Sequence, residues 1–346
     1  MSRDPISRAD DDANVRDTGS DQPITFAGSD VATPPLGLGT WAWGDKETWG
    51  MGGYDASLTE STIADAWEAT VDAGIGLIDT AEVYGGGESE RIIGSLLARD
   101  PARRAGLVLA TKFMPAPQKV NVGKALRQSL LASLDRLGVD RVDLYQIHGP
   151  ISLRSHAALA EALASVHEEG LVDAVGVSNY SIREMGAIHA ELASRGVALA
   201  SNQIEFSLLR TRPLTTGLIR ACHALGVVPL AYSPIGQGRL TGKYSASNPP
   251  PGKRGFSDHP MEQVDAVVSS LRRIGAAQGD RIPSQVALRW LIQQGAVPIP
   301  GAKNRSQAEQ NAGALGWSLT SDEVDSLTRV SLEGRRGFRN RFWQHG

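Results

Sequence analysis

The sequence predicts an α/β fold, a single (β/α)8 TIM barrel with an N-terminal β-hairpin and a C-terminal helix and tail. Short apolar segments of strand length recur eight times, and amphipathic stretches of helical period lie between them. Nearly every strand closes on a polar or aromatic residue: Asp79, Lys112, His148, Ser178 with Asn179, Asn202 with Gln203, and Tyr232 with Ser233. A barrel gathers such ends on one face, whereas a doubly wound sheet spreads them along a crevice. At 346 residues the chain is long enough to bury one large core.

The first 22 residues carry six aspartates and three arginines with almost no large apolar side chains, which predicts a disordered acidic tail. Residues 23–334 are expected to hold the barrel and 335–346 a C-terminal tail. Between Ile24 and Leu36 the polar turn AGSD follows ITF and predicts the hairpin. Barrel strands are then expected at LGLG (36–39), GLID (76–79), LVLAT (107–111), VDLYQI (142–147), AVGVS (174–178), ASNQI (200–204), VVPLAY (227–232) and VPIP (297–300). Helical periodicity marks Leu58 to Asp72, Val122 to Leu137, Leu153 to Glu169, Ile182 to Arg195 and Pro283 to Gln293. In the tail, Phe338, Phe342 and Trp343 are costly to leave in water, so Arg335 to His345 is expected to dock.

A formal net charge of -3 gives no attraction for nucleic acid or an anionic membrane. The single cysteine, Cys222, excludes an intrachain disulfide framework and a cysteine-rich metal site, and no metal is expected. The chain lacks a secretory apolar run, its leader is too acidic for a transit peptide, and no apolar segment nears the ~18 residues of a membrane helix. A cytoplasmic protein acting on a small molecule is therefore expected, with a homo-oligomer left open.

The stretch Gly74 to Gly87, GIGLIDTAEVYGGG, organises the rest. Asp79 closes a buried strand and needs a partner, and Tyr84 follows five residues later in a glycine-rich loop. Lys112 and His148 end two later strands and supply the matching chemistry. A phenol titrates near pH 10 and gives up its proton poorly at neutral pH, so a lysine ammonium held close is expected to lower that pKa. Asp79 would keep the lysine charged and aimed, while His148 would bond a carbonyl or help relay the proton. Taken singly, these residues read as a lumen ion pair, a loop tyrosine on Trp41 or Trp43, and a core histidine. Their coincidence at one predicted face favours a site. Cys222 reads as a small buried hydrophobe, and Trp41, Trp43 and Trp49 either line an apolar mouth or pack in the core.

Two glycine motifs fail on inspection. Gly37, Gly39 and Ala42 match a dinucleotide fingerprint in letters, but Thr40 to Gly53 is a poor helix opening for a phosphate. The run Gly236 to Lys243 lacks the glycine that a P-loop needs at Gln237, and Tyr244 stands where the magnesium-binding hydroxyl belongs.

The motifs DTAEVYG, LATKF, LYQIHGP, VGVSNY, SNQIEFSLL, AYSPIGQGRLTGKY and IPGAKNRSQAEQN occur in this order, and in them the chain resembles the aldo-keto reductases from Ile24 to Val330. The resemblance implies NADPH-dependent reduction of a carbonyl, with Asp79, Tyr84, Lys112 and His148 as the catalytic tetrad and Tyr84 as the proton donor. It further implies that Ser178, Asn179 and Gln203 meet the nicotinamide amide and that Tyr232 stacks under the ring. Ser233, Pro234, Gly236 and Gly238 belong to the same cofactor site, as do Gly301, Lys303, Gln307 and Asn311. Many relatives have an arginine where Gln307 stands and a glutamate where Gln310 stands, so Lys303 is the expected partner of a 2′-phosphate. The same resemblance extends to NADPH-binding regulatory subunits of ion channels. A Schiff-base role for Lys112 is the third reading, opposed by Asp79, which would keep the amine protonated. Substrate choice is expected to lie in the loops Trp41 to Tyr54, Pro115 to Val120 and Tyr244 to His259 and in the C-terminal tail.

Overall fold

A computed structural model of the chain describes residues 21–44, 57–251, 259–334, 337 and 343–346. Most of the expected acidic tail, Trp49, Phe338, Phe342 and parts of two specificity loops lie outside the described residues. The hairpin pairs β1 (Ile24–Thr25) with β2 (Ala32–Thr33). Eight parallel strands follow: β3 (Gly37–Gly39), β4 (Leu77–Asp79), β5 (Val108–Phe113), β6 (Val142–Ile147), β7 (Val172–Ser178), β8 (Leu199–Glu205), β9 (Val228–Tyr232) and β10 (Val297–Pro298). Each pairs with the next in sequence, and a parallel bridge between Gly39 and Gly301 brings the two edges together. The Gly39 N–H also donates to Pro300 O at 3.0 Å, which closes the barrel.

Helices α1 (Glu60–Asp72), α2 (Glu88–Arg99), α3 (Val122–Leu137), α4 (His156–Glu168), α5 (Ile182–Ala193), α6 (Arg212–Thr215), α7 (Leu218–Ala224), α8 (Met261–Ala277), α9 (Pro283–Gln293), α10 (Arg305–Ala312) and α11 (Ser321–Val330) complete the described elements. Their starts follow from local chemistry. Asn121 caps α3 by accepting from Lys124 N at 3.1 Å, and Ser181 with Glu184 makes a reciprocal capping box on α5. α3 ends where Gly138 takes a left-handed φ of 66°. The sequence reading named α3 and α9 to the residue, but it passed over α2, α8 and α11.

Period-two alternation along the strands separates two cores. Ile78, Leu109, Tyr145 and Val177 face the helices, while Leu77, Val108, Ala110, Leu144, Ala174, Val228 and Val297 fill the lumen with Phe26 of the hairpin. Fully burying such a side chain contributes roughly 1.5–3 kcal/mol, so the lumen floor is a stabilising plug rather than a pore. One step further along the same inward faces stand Asp79, Lys112, Gln146 and Gln203, all buried. Gly176 leaves room for this polar layer, because a Cβ there would lie 2.1 Å from Ser201 Oγ and 3.0 Å from Gln146 Cγ. An apolar floor thus supports a polar layer at the C-terminal mouth.

Candidate active site

Asp79 sits at the end of β4, and Lys112 lies inside β5, which runs one residue beyond it to Phe113. Lys112 Nζ donates to Asp79 Oδ2 at 2.6 Å, to Thr80 O at 2.8 Å and to the Tyr84 hydroxyl oxygen at 3.1 Å. Three acceptors match the three protons of an ammonium, so the buried charge is fully satisfied. Tyr84 reaches this point because Gly85, Gly86 and Gly87, at φ of 57°, 65° and 90°, fold the chain sharply into α2. The other oxygen of Asp79 accepts from Gln203 Nε2 at 2.8 Å. His148 follows β6, with its ring edge-on to Tyr84 at 5.6 Å between centroids. The four residues singled out in the sequence therefore converge.

Electrostatics refine the expectation for the phenol. Burial raises the Tyr84 pKa, and although Lys112 presses it down, burial with the help of Asp79 wins. The sequence argument weighed only the ammonium and anticipated a net lowering. The difference is the desolvation of a phenolate in an enclosed lumen, and it leaves Tyr84 protonated across neutral pH. Because Lys112 occupies a lone pair of the phenolic oxygen, the O–H proton itself stays available. Burial alone would lower the Lys112 pKa, yet Asp79 and Tyr84 more than offset it and hold the amine charged. His148 is pushed well below the usual imidazole range by burial and then by Lys112, so it is neutral at neutral pH. Its Nδ1 is buried without a hydrogen-bond partner among the described residues.

The amide-binding candidates form a linked patch on β7, β8 and β9. Ser178 Oγ donates to Gln203 O at 2.9 Å, Asn179 Nδ2 to Ser178 Oγ at 3.0 Å, and the Tyr232 hydroxyl to Asn179 Oδ1 at 2.9 Å. Ser233 takes a left-handed φ of 49° and Pro234 follows it, before a 3₁₀ turn in which Gly236 and Gly238 have φ of 57° and 88°. A Cβ on Gly236 would come within 2.7 Å of Leu209. A second cluster opens α10. Gly301 is exposed, Asn311 Nδ2 donates to Gly301 O at 3.3 Å, and Lys303 N donates to Gln307 Oε1 at 3.0 Å. Asn304 caps the helix through Gln307 N at 3.0 Å. Arg305 reaches sideways to Glu68 at 3.3 Å and to Glu309 at 3.9 Å.

Of the tryptophans, Trp43 is core, fully buried with its Nε1 donating to Ala302 O at 2.9 Å, while Trp41 is half-buried at the rim. Cys222 is buried 3.5 Å from Met185 Sδ, and burial pushes its thiol up to about 12. The described end of the tail docks as expected. Trp343 lies edge-on to His148 at 5.5 Å between centroids, and Gln344 Nε2 donates to the Tyr232 hydroxyl at 2.9 Å. Gln146, Glu205 and Gln344 were not named from sequence. Gln146 was within reach, since it alternates with Leu144 on the inward face of β6, but nothing periodic marks Gln344.

A closed barrel that holds a half-buried phenol against a fully paired ammonium at its C-terminal mouth has the groups an acid–base site of the barrel-enzyme class needs. A family model, Aldo/keto reductase family, matches residues 35–331, and the chain belongs to that family. It is 37% identical to the chloroplastic pyridoxal reductase of Arabidopsis thaliana over 91% of this chain and 87% of that one. Among solved structures, the glycerol dehydrogenase of Gluconobacter oxydans superposes with a TM-score of 0.75 at 29% identity, over 91% of this chain and 98% of that one. An aldo/keto reductase of Klebsiella pneumoniae in complex with NADP and acetate does so with a TM-score of 0.72 at 27% identity, over 92% and 98%. No helix among the described residues is long and apolar enough to cross a membrane.

Proposed function

We propose that the chain reduces an aldehyde or ketone to an alcohol with NADPH, Tyr84 giving the proton. The observation that carries this is the 3.1 Å bond from a fully paired Lys112 to the Tyr84 oxygen, which orients a protonated phenol whose own proton has no acceptor among the described residues. Bound NADPH would supply the hydride to the carbonyl carbon. Tyr84 then transfers its proton to the alkoxide oxygen, and the charged Lys112 steadies the phenolate left behind. Neutral His148 is placed to orient the carbonyl through a hydrogen bond.

The residues present suit that cofactor. Ser178, Asn179 and Gln203 offer amide-pairing groups beside Tyr232, whose hydroxyl bonds Asn179, and at Gly236 the backbone curves where a side chain would meet Leu209. Lys303 lies two residues before a helix start, where an anion is favoured. The NADP complex of the Klebsiella structure supports the same choice. Likeness to a pyridoxal reductase makes an aromatic aldehyde the first substrate to assay. The test is NADPH oxidation by the purified chain over aldehydes, ketones, sugars and quinones. Consumption that depends on a carbonyl supports the reading, and absence of turnover on every class would overturn it.

A further inference from the structure

The chain end Trp343 to Gly346 bonds to the two residues that flank the proposed nicotinamide site. Gln344 Nε2 donates to the Tyr232 hydroxyl at 2.9 Å and also to the buried carboxylate of Glu205. The neighbouring His345 donates its main-chain N–H to Asn179 O at 3.2 Å. Since the Tyr232 hydroxyl in turn donates to Asn179 Oδ1, the two tail residues and the two site residues form one closed hydrogen-bonded loop. Asn179 has a φ of 64°, a left-handed conformation that asparagine adopts more readily than most residues, and the bond on its carbonyl helps hold it there.

The segment is anchored on either side of that loop. His345 Nδ1 lies 2.8 Å from Glu184 Oε1, and Arg210 Nη2 donates to Gly346 O at 3.2 Å. Gly346 fits a slot in which a Cβ would lie 3.0 Å from both Ile204 and Leu218. On the other side, the Trp343 indole covers Gly149 so closely that a Cβ there would meet it at 2.9 Å. Arg210 Nε lies 3.4 Å from the same Glu205, so the buried acid joins the guanidinium and the Gln344 amide in one cluster.

Resting on the proposed reaction, we propose that Gln344 is a positioning residue for the nicotinamide site. The docked end of the chain fixes Tyr232 and Asn179 in their receiving geometry, so docking of this strap and binding of NADPH strengthen each other. Such coupling is reciprocal: whatever the strap adds to NADPH affinity, NADPH adds to strap docking.

Hydrogen exchange and calorimetric NADPH titration of the full chain test this. Gln344→Ala should speed amide exchange at Asn179 to Tyr180 and Tyr232 to Ile235 without cofactor, and weaken NADPH binding by about three- to tenfold, as expected for one lost hydrogen bond. The same change in a Tyr232→Phe background should cost less than about twofold, because the hydroxyl through which Gln344 acts is gone. In the wild type, NADPH should slow exchange at 343–346. Unchanged exchange in Gln344→Ala, or a loss of affinity undiminished by Tyr232→Phe, would overturn the proposal. A wild-type chain that binds no NADPH would sink the proposed reaction, while the exchange comparison without cofactor would still decide whether the strap holds Tyr232.

Discussion

Lys112 clamps the proposed proton donor and Arg305 opens α10 beside the proposed phosphate site, and the surroundings of these two cations have little in common. Lys112 is fully enclosed and meets acceptors at 2.6, 2.8 and 3.1 Å, whereas Arg305 is 47% exposed and leans on two surface acids at 3.3 and 3.9 Å. A buried charge must be completely paired, since an orphaned partner costs several kcal/mol, while an exposed pair is worth about 0–1 kcal/mol. Chemistry at the lumen is therefore rigidly specified. At the exposed start of α10, the proposed phosphate end, a change is expected to cost less.

The contrast is sharpest for the proton donor. Tyr84→Phe keeps the ring and its packing, and should lower single-turnover reduction of an accepted aldehyde by about two to four decades while NADPH binding and stability persist. Next in size, Asp79→Ala strands the Lys112 ammonium and should destabilise the fold by about 3–5 kcal/mol, read as a shift of the denaturant midpoint. Replacing Lys112 by Met in that background should restore much of the loss. At the exposed end the effects shrink. Lys303→Ala should weaken NADPH binding by about one to two decades and spare NADH, and equal losses would place the phosphate elsewhere. Arg305→Ala should change NADPH affinity by less than about threefold, because its charge is screened and already shared. A larger loss would show that Arg305 leaves its acids for the cofactor.

Titration separates the regions further. In the proposed reaction the proton comes from Tyr84, and burial holds that phenol above its ordinary value. The rate should stay level through neutral pH and fall only above about pH 10. In Lys112→Met the alkaline fall should move higher still, since the ammonium is what presses the phenol down.

The same division governs what could be read from sequence. The eight strands and the meeting of Asp79, Tyr84, Lys112 and His148 were legible because burial on both faces leaves long apolar runs, and each run ends where a polar residue enters the lumen. Asp79, Lys112 and His148 stood out at such ends. What escaped depended on long-range closure. Gln344 contacts Tyr232 from more than a hundred positions away, in a segment with no period. The sign of the Tyr84 shift escaped for a related reason, because desolvation depends on how completely the barrel encloses the phenol. Helices α2, α8 and α11 show the same ordinary amphipathic patterns as the others, though the triple glycine before α2 reads as a loop.

The central claim, that Lys112 acts through the Tyr84 proton, is tested most directly by single-turnover reduction with Tyr84→Phe, Lys112→Met and the double variant. If both residues serve one proton transfer, the double variant should be about as slow as Tyr84→Phe alone. Losses that multiply, or a Tyr84→Phe chain with a normal rate and intact cofactor binding, would contradict the account.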